Sequence, residues 1–369
     1  MTQNDSAAAR DQRRRVTLHD VATAAGLSIT TVSRALAGYD DVAEATRLRV
    51  AQLAQRLGYR PSLRARHLAM GRQASLRCAV VSLGLPAARF HGSAYGPTLT
   101  GILSGAAAQG MDVQLAAMES KDPSAELAGF VAEDRADGLL IVAPAALGAR
   151  DLEPLERAGT PYVLVNRHLG HEPDAFAVNC VTPDWVAGTR DAVRRLHRLG
   201  HRRMAAVFPR GSAPTSTALD HEQGWHDAVA ELGLDPADAP IVRAAGPLTD
   251  TAGGDLARQL LTHGLPVSGQ PPTAILAYND HVAHSVLDAA RELGVPVPER
   301  LTVIGFDNSI SRFLWPAVCS YDPHFHTTGE RAALLLAGLL HGRSAGDDPA
   351  RVMIPLDHHC RASCAPAPR

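Results

Sequence analysis

The sequence predicts an α/β protein with a small helical head and a two-lobed body of doubly wound parallel sheets. Apolar residues near the N-terminus repeat at helical spacing, and from Cys78 onward short β-rich runs alternate with helical segments in two sets. The first 75 residues hold 12 Arg and no Lys against six Asp or Glu, a net charge of +6, which leaves −8 for the remainder. A basic head on an acidic body indicates a polyanionic partner for the head alone.

Length and composition exclude several classes of protein. At 369 residues the chain is too long for one ordinary core. The segment "MTQNDSAAARDQRRR" is polar, so we expect a disordered tail rather than a signal peptide, and no later run of about 18 apolar residues predicts a membrane span. Five scattered Cys do not indicate a disulfide framework. These features predict a cytoplasmic protein, associated with the nucleoid if the head binds DNA.

The stretch "VTLHDVATAAGLSITTVSRALAGYDDV", residues 16–42, predicts two helices joined by a tight turn. Thr17 can cap the first helix, Gly26 supplies the left-handed residue that ends it, and Ser28 can cap the second. The inward positions of both helices carry small or aliphatic side chains: Leu18, Val21, Ala22, Ala25, Val32, Ala35 and Leu36. The outward face of the second helix carries side chains suited to base edges and phosphates: Ile29, Thr30, Thr31, Ser33 and Arg34.

A third amphipathic helix is predicted to complete the head. Asp41 and Glu44 have capping-box spacing at its start, and Gly58 followed by Pro61 ends it. Its inner face is predicted to hold Val50, Leu53, Ala54 and Leu57. Composition alone leaves a plain three-helix bundle with a solvated polar surface equally open, and the local positive charge favours DNA binding.

The sequence of the body predicts two sets of parallel strands. The first set is "RCAVVSLGL", "MDVQLAAM", "DGLLIVAP" and "PYVLVNR"; the second is "FAVNC", "RMAAVF", "TAILAYND" and "LTVIGFDN". Ligands of open parallel sheets bind beyond the carboxyl ends of the strands, so the cleft between the lobes is the expected site. The polar residues at these strand ends are Asn166, Arg167, Asn279, Asp280, Asp307 and Asn308. Carboxylate, amide and guanidinium groups suit a neutral polyol, although each could cap a helix instead, the interpretation we favour for Asp280.

The head and body together resemble one known family. Residues 16–73 resemble the DNA-binding head of the LacI/GalR (lactose-repressor) family in "VTLHDVATAAG", "TVSRALAG", "ATRLRV" and "LGYRPSLRARHLAMG". The body resembles it in "PYVLVNR", "LGHRRMAAV", "AYNDHVAHSVLDAARELGVPVPERLTVIGFDNS" and "CRASCAP". Periplasmic sugar-binding proteins share the body's fold, and the head separates the two classes. The resemblance implies a helix-turn-helix head, a hinge helix and a periplasmic-binding-protein-like core.

This resemblance also sets the expected domain boundaries. We expect a disordered tail at 1–15, a helix-turn-helix domain at 16–60, and a hinge helix with linker at 61–75. The effector-binding and dimerisation core then covers 76–369. Its N-lobe is expected at about 76–176 and 310–342, and its C-lobe at about 177–309 and 350–365.

The resemblance assigns DNA contacts within the head and hinge. Ile29 and Thr30 match base-reading positions, and Arg34 matches a base-reading or phosphate-bridging arginine. Phosphate contacts are expected from Ser28, Thr31 and Ser33, and we add Thr17 at the start of the first helix. "PSLRARHLAMGR" resembles the hinge helix, in which Leu68 would wedge into the central base step and Arg66 would reach a phosphate. Without the resemblance this segment reads as a basic linker.

The resemblance also assigns a small-molecule site, with departures. Asn166, Asn279 and Asp307 match effector-contacting positions, with Arg167 beside them. His221 stands where the family commonly has Arg, Tyr95 lies in "GSAY" in place of Asn-Pro-Phe-Phe, and Phe325 lies in "DPHF" near a usual Gln-Pro. Tyr95, Phe325 or Trp225 could form an aromatic wall, although core packing explains Trp225 equally well. Three departures indicate an unusual effector or a lost one.

The sequence argues against a metal site and against catalysis. "DHHCRASC" offers soft metal ligands in His358, His359, Cys360 and Cys364, but strand alternation points neighbours to opposite faces, so we predict no metal. No nucleophile elbow, P-loop or dinucleotide fingerprint occurs, so we predict neither cofactor nor catalysis.

The prediction is a homodimeric, effector-controlled transcription regulator, a repressor, that binds a pseudo-palindromic operator in double-stranded DNA and a sugar-like effector. The alternatives are an effector-independent regulator with a degenerate cleft and a cytoplasmic solute-binding protein.

Overall fold

A computed structural model describes residues 18–36, 42–57, 76–83, 94–118, 122–142, 147–171, 176–208, 215–243, 250–342 and 349–368. The chain divides into two units: a head that includes residues 18–57, and a larger body that begins at Leu76. No helix in these ranges is long and apolar enough to cross a membrane.

Residues 18–57 of the head, as far as they are described, form three helices: α1 Leu18–Ala25, α2 Ile29–Leu36 and α3 Glu44–Leu57. Their small core contains the fully buried side chains of Val21, Val32 and Val50, as the helical spacing predicts. Gly26, at φ 65°, ends α1 in the left-handed conformation expected of it. The prediction of a core position for Leu57 is wrong. This residue, in the last turn of α3, is 37% exposed, because the head's core ends about one turn before it.

The first lobe of the body is a six-stranded parallel sheet covered by helices. Its strands are β1 Leu76–Leu83, β2 Met111–Met118, β3 Gly138–Val142, β4 Tyr162–Val165, β5 Cys180–Pro183 and β11 Arg351–Ile354. They lie in the order β11-β5-β4-β3-β1-β2. The helices that belong with them are α4 Tyr95–Ala108, α5 Pro123–Ala132, α6 Ala149–Ala158 and α11 Phe325–Leu340. The inner strands β3 and β4 are buried along their whole length, as expected of a parallel sheet covered on both faces.

The second lobe repeats this plan with one antiparallel edge. Its strands are β6 Met204–Phe208, β7 Ile241–Arg243, β8 Ala274–Ala277, β9 Thr302–Phe306, β10 Cys319–Asp322 and β12 Asp357–His359. They lie in the order β12-β10-β9-β8-β6-β7, and β12 is antiparallel to β10. The helices of this lobe are α7 Trp185–Arg198, α8 Ser216–Glu231, α9 Asp250–His263 and α10 Asp280–Glu292. A short 3₁₀ turn spans Ser311–Phe313.

The chain passes between the two sheets three times, which differs from the expected division into lobes. The run "FAVNC" was expected to open the second lobe, but β5, which begins at its Cys180, pairs with β4 in the first sheet. Likewise β11 pairs with β5 in the first sheet, and β10 pairs with β9 in the second. A β-rich run in a sequence predicts that a strand exists but not which strand it pairs with, so the exchange of these strands between the sheets was not predicted.

Two helices of the first lobe, α4 and α11, approach each other through glycines. A Cβ added to Gly329 would lie 2.1 Å from the carbonyl oxygen of Thr98, and one added to Gly101 would lie 1.9 Å from that of His326. Both neighbours are backbone atoms, which cannot move aside as a side chain can. Only glycine therefore allows this contact, which fixes the first turns of both helices.

Candidate functional site

The outward face of α2 presents the side chains predicted to contact DNA. Ile29 is 47% exposed although it is apolar, and Thr30 and Arg34 are also exposed. Thr31 and Ser33 are partly buried beside them, while Val32 and Ala35 point into the head's core. The contact residues thus lie on one side of a helix whose other side holds the fold. Thr17, Arg66 and Leu68, with the whole expected hinge at 61–75, lie outside the described residues.

Two contacts hold α2 in place. The backbone N–H of Thr31 donates to Ser28 Oγ at 3.1 Å, and the two hydroxyls lie 2.8 Å apart, so Ser28 caps the helix as predicted. From α3, the Arg49 guanidinium donates to the carbonyl oxygen of Ala25 at 2.6 Å, next to the turn between α1 and α2. The start of α2 is therefore fixed by its own serine cap, and the turn before it is held from α3.

In the body, strained backbone marks the carboxyl ends of the strands. Five non-glycine residues among those described have a positive φ, and four of them follow β4, β9 or β10. These four are Asn166 at 59°, Asp307 at 88°, Asn308 at 47° and His324 at 52°. Such conformations are costly for residues with a Cβ and concentrate at ligand sites. Asn166 and Asp307 are two of the residues that the sequence predicts as effector contacts.

Asn166 lies where the two lobes meet. Its amide Nδ2 donates to Thr98 Oγ1 on α4 at 2.8 Å, and its backbone carbonyl accepts from Thr217 Oγ1 on α8 at 3.5 Å. Its Oδ1 is enclosed and has no hydrogen-bond partner within the described part of the chain. One nitrogen of the neighbouring Arg167 guanidinium donates to the carbonyl oxygen of Leu147 within the first lobe, and the effector contact expected of Arg167 stays a prediction. A buried acceptor with no partner is a position that a ligand hydroxyl can satisfy.

An aromatic cluster lines the second lobe near this point. Trp185, the first residue of α7, lies 4.8 Å from the ring of His221, 6.0 Å from Phe325 and 6.3 Å from Phe306. The indole is 3% exposed, and its Nε1–H has no acceptor among the described residues. Since Thr217 and His221 are one turn apart on α8, Asn166 and Trp185 contact the same face of that helix. Trp185 was not predicted from the sequence, in which its only signal is its place after a strand and at the start of a helix.

His221 is neutral in this cluster. Burial lowers its pKa to about 3, against the opposing effect of the neighbouring Asp220 carboxylate. Its Nδ1 lies 2.8 Å from Thr189 Oγ1, and its ring also contacts Phe208 and Tyr278. A neutral ring cannot supply the charge of the arginine common at this position. The departure noted in the sequence therefore replaces a cationic side chain with a neutral aromatic one at this position.

The helix that follows β8 is capped by Asn279 and not by Asp280, for which that role was predicted, and effector contact by Asn279 stays a prediction. Asn279, an expected effector contact, caps α10, because its Oδ1 accepts from the backbone N–H of Val282 at 2.9 Å. Asp280, expected to be the cap, is fully buried and binds the loop after β9 instead. Its Oδ2 accepts from the backbone N–H groups of Ser309, Ile310 and Ser311 at 2.7–3.1 Å. Asn279 can cap because its extended backbone lies just outside α10, whereas Asp280 is already helical.

The loop after β9 carries Asp307 toward Tyr278. Burial raises the pKa of Tyr278, the nearby Asp307 carboxylate raises it further, and a hydrogen bond with Thr215 opposes the shift. Next to it, the Asn308 amide donates to Asp322 Oδ2 at 3.0 Å. A carboxylate, a phenol and aromatic rings are therefore close together at the ends of β8, β9 and β10. Tyr278 is a second residue that the sequence analysis missed.

Of the remaining aromatic candidates, Trp225 lies in the core, and the expected place of Tyr95 and Phe325 in the wall of the effector site stays a prediction. Tyr95 and Phe325, each 7% exposed, begin α4 and α11, the two helices that meet through glycines. Trp225 is 1% exposed, and its Nε1 donates to the carbonyl oxygen of Ala239 at 3.0 Å. The core interpretation of Trp225 is therefore the one the structure supports.

The Cys/His run near the C-terminus supports the second lobe. His358 is partly buried against Tyr321, with ring centroids 4.9 Å apart, and His359 on the next position is exposed, so the predicted alternation is confirmed. The Arg361 backbone N–H donates to Cys319 Sγ at 3.1 Å, and its guanidinium donates to the carbonyl oxygen of Val318 at 2.9 Å. The run thus closes the edge of the second sheet.

Comparison with known proteins places this architecture in one family. Residues 17–62 match the model of the bacterial regulatory proteins of the lacI family, and residues 193–364 match a periplasmic binding protein-like domain. The HTH-type transcriptional regulator CelR of Thermobifida fusca is 30% identical over 347 residues, which cover 93% of this chain and 97% of CelR. The chain belongs to the LacI family. The HTH-type transcriptional repressor CytR of Escherichia coli K12 is 29% identical over 92% of this chain and 94% of its own length.

Solved structures of LacI-family regulators agree with this assignment. A complex of CelR with cellobiose has a TM-score of 0.66 at 27% identity, and covers 95% of this chain and all of that one. The Lac repressor dimer bound to operator and the anti-inducer ONPF has a TM-score of 0.67 at 25% identity, with the same coverage. The predicted family, fold class and function as a DNA-binding, ligand-responsive regulator are therefore confirmed. These relatives are transcriptional regulators, which supports the prediction that the chain is not an enzyme.

Proposed function

We propose that this LacI-family protein is a homodimeric repressor whose two heads bind a pseudo-palindromic operator and whose cleft binds a sugar-like effector. It would act in the cytoplasm, on the nucleoid. The proposed DNA contacts are Thr17, Ser28, Ile29, Thr30, Thr31, Ser33, Arg34, Arg66 and Leu68. The domain boundaries given above for tail, head, hinge and core belong to the same proposal.

The exposed face of α2 supports the DNA-binding half of the proposal. An α-helix enters the major groove with its short and bidentate side chains toward base edges, and Thr30 and Arg34 are of that kind. Ile29 is apolar and half exposed, so a thymine methyl group or another apolar surface would bury it. The head is basic and the body is acidic, so the phosphate backbone of DNA attracts the head and not the body.

One observation carries the effector half: two enclosed polar atoms on the same side of α8 have no partner in the described residues. Trp185 Nε1–H is a donor and Asn166 Oδ1 is an acceptor. A sugar has hydroxyls that satisfy both, and an apolar ring face that packs against indole and phenyl rings. The Asp307 carboxylate adds a further acceptor. CelR, which is similar over almost the whole chain, has been solved with cellobiose, and the sugar class is proposed here on that likeness as well.

A thermal-shift screen tests the effector half. Purified protein is heated with mono- and disaccharides, nucleosides and small organic acids, because a ligand that binds only the folded state raises the unfolding temperature. A sugar should give a saturable increase that Trp185→Phe and Asn166→Ala reduce. Trp225→Phe is the matched control, since its indole N–H already has an acceptor in the core. Stabilisation by a nucleoside or acid alone would replace the sugar class, and stabilisation by nothing would favour the effector-independent regulator.

Genome-wide mapping of bound sites tests the operator half. A shared motif with two inverted half-sites, separated by a whole number of helical turns, is the expected result. Binding with no shared motif would contradict a sequence-specific regulator. Repeating the experiment with the effector found in the screen shows whether that effector releases the protein or recruits it.

A further inference from the structure

Three side chains from the two lobes form a compact group outside the effector cluster. His168 and His171 belong to the loop that follows β4 in the first lobe, and Asp220 belongs to α8, which packs on the second sheet. His168 Nε2 lies 2.8 Å from Asp220 Oδ2, and His171 Nε2 lies 2.6 Å from Asp220 Oδ1. The ligand atoms of all three lie within 4.8 Å of one another, which is not found for any other such trio in the described residues.

The donor set is specific in its chemistry. Two imidazole nitrogens and one carboxylate oxygen suit zinc and the neighbouring divalent transition metals, whereas calcium and magnesium prefer oxygen ligands alone. His168 and Asp220 are almost completely buried, and the side chain of His171 is 29% exposed. Three protein ligands leave at least one coordination position open, and the exposed side of His171 gives an ion a way in.

We propose that His168, His171 and Asp220 bind one divalent transition-metal ion that bridges the two lobes. This inference goes beyond the proposed regulator function, because ion binding requires neither DNA nor effector. An ion held by ligands from both lobes stabilises the arrangement in which those ligands are close together. It would therefore act as a second ligand of the body, beside the effector.

The metal-free hydrogen bonds show what must change on binding. The backbone N–H of Gly170 donates to His168 Nδ1 at 2.9 Å, so in the neutral ring the proton lies on Nε2 and is donated to Asp220. When an ion takes Nε2, the ring proton moves to Nδ1 and the contact with Gly170 opens. Gly170 is exposed, so water replaces His168 as the acceptor of its N–H. The ring stays neutral and no proton is lost from it.

Titration of the full-length protein with Co²⁺ tests the site, by calorimetry and by absorption. One ion should bind per chain and give visible d–d bands without a thiolate-to-metal charge-transfer band. His171→Ala should weaken binding at least tenfold, and it is the informative variant because this partly exposed side chain can be removed without opening the core. His284→Ala is the matched control: this surface histidine also pairs with an aspartate, at 3.7 Å from Asp288, and should bind Co²⁺ as the unchanged protein does.

Three results would overturn the proposal. The first is no saturable binding of Co²⁺, and the second is equal binding by the His171→Ala variant. The third is a thiolate band, which would place the ion at cysteines such as Cys360 or Cys364. None of these measurements uses DNA or an effector, so failure of the metal site leaves the proposed function untouched, and the reverse also holds.

Discussion

In the head, one observed role and one proposed role meet at Ser28. Its hydroxyl caps α2, and we propose that the same group contacts a DNA phosphate. A cap requires only an acceptor oxygen, whereas a phosphate contact requires that the group carry no negative charge. The two tasks can therefore be separated by substitution.

Replacing Ser28 with Ala and with Asp should give opposite results. Ser28→Ala removes the cap and should destabilise the head by about 1 kcal/mol. Ser28→Asp keeps an acceptor, so thermal stability should be retained, but the added charge should weaken operator binding at least tenfold. Thermal unfolding and a DNA-binding titration check the pair. Full DNA affinity in Ser28→Asp would show that Ser28 does not face the backbone.

Arg34 can read a base or bind a phosphate, and salt dependence distinguishes the two. Arg34→Ala should cost about 1–3 kcal/mol of operator affinity in either case. If it reads a base, the loss should be confined to the operator and the slope of affinity against salt should stay unchanged. If it binds a phosphate, random DNA should lose as much and the slope should fall by about 1. Titrations at several salt concentrations decide between them.

At the scale of elements, the loop after β9 depends on one buried carboxylate. Asp280 lies in the first turn of α10 and binds three consecutive N–H groups of residues 309–311, and its Oδ1 also accepts from Ser320 Oγ at 2.7 Å. The backbone of Gly305 passes so close that an added Cβ would lie 2.9 Å from Asp280 Oδ1. Asp307 and Asn308, between these points, are held in left-handed conformations as a result.

Asp280→Ala should lower the free energy of unfolding by about 3 kcal/mol, because three consecutive N–H groups, of which that of Ser311 is buried, lose a fully buried acceptor. Asp280→Asn should cost less, since its one oxygen can serve the N–H groups while its amide donates to Ser320. Asp288→Ala is the control on the same helix: this carboxylate binds Arg291 at the surface and should cost about 0.5 kcal/mol. Denaturant unfolding measures all three. Equal costs at the two aspartates would contradict the role assigned to Asp280.

The glycine contact between α4 and α11 gives a second test at this scale. Gly329→Ala places a methyl group against backbone atoms of α4 and should destabilise the first lobe by about 1–3 kcal/mol. Gly129→Ala in α5 is the matched control, because nothing lies within 4 Å of its added Cβ. That change should be neutral or stabilise by about 0.5 kcal/mol. If thermal unfolding shows no difference between the two variants, the helices can move apart without cost.

The sequence predicts the elements of this protein better than their arrangement. Apolar spacing and cap residues locate the head helices and most buried strands, because those signals are local. The exchange of β5, β10 and β11 between sheets depends on pairing between distant segments, which no local pattern contains. The same reason explains the cleft: Trp185, Tyr278 and the His168–Asp220 pair become neighbours only after the lobes form, whereas Asn166 and Asp307 could be predicted from strand ends.

At the scale of the whole molecule, effector binding to the body and operator binding to the head are thermodynamically coupled. If the effector changes operator affinity by some factor, the operator must change effector affinity by the same factor. We expect the two factors, measured by effector titration with and without operator and by DNA titration with and without effector, to agree within error. Two unequal factors would mean that a further equilibrium, such as dimer dissociation, takes part.

The interleaved strands also determine when the body can fold during synthesis. The edge strand β11 of the first sheet ends at Ile354, and the edge strand β12 of the second sheet ends at His359. Neither sheet is complete until this last stretch of the chain has been synthesised. The three described helices of the head, by contrast, are complete by Leu57. On the ribosome, this protein can therefore acquire its helical head long before either lobe is whole, and the two lobes must reach completion almost together.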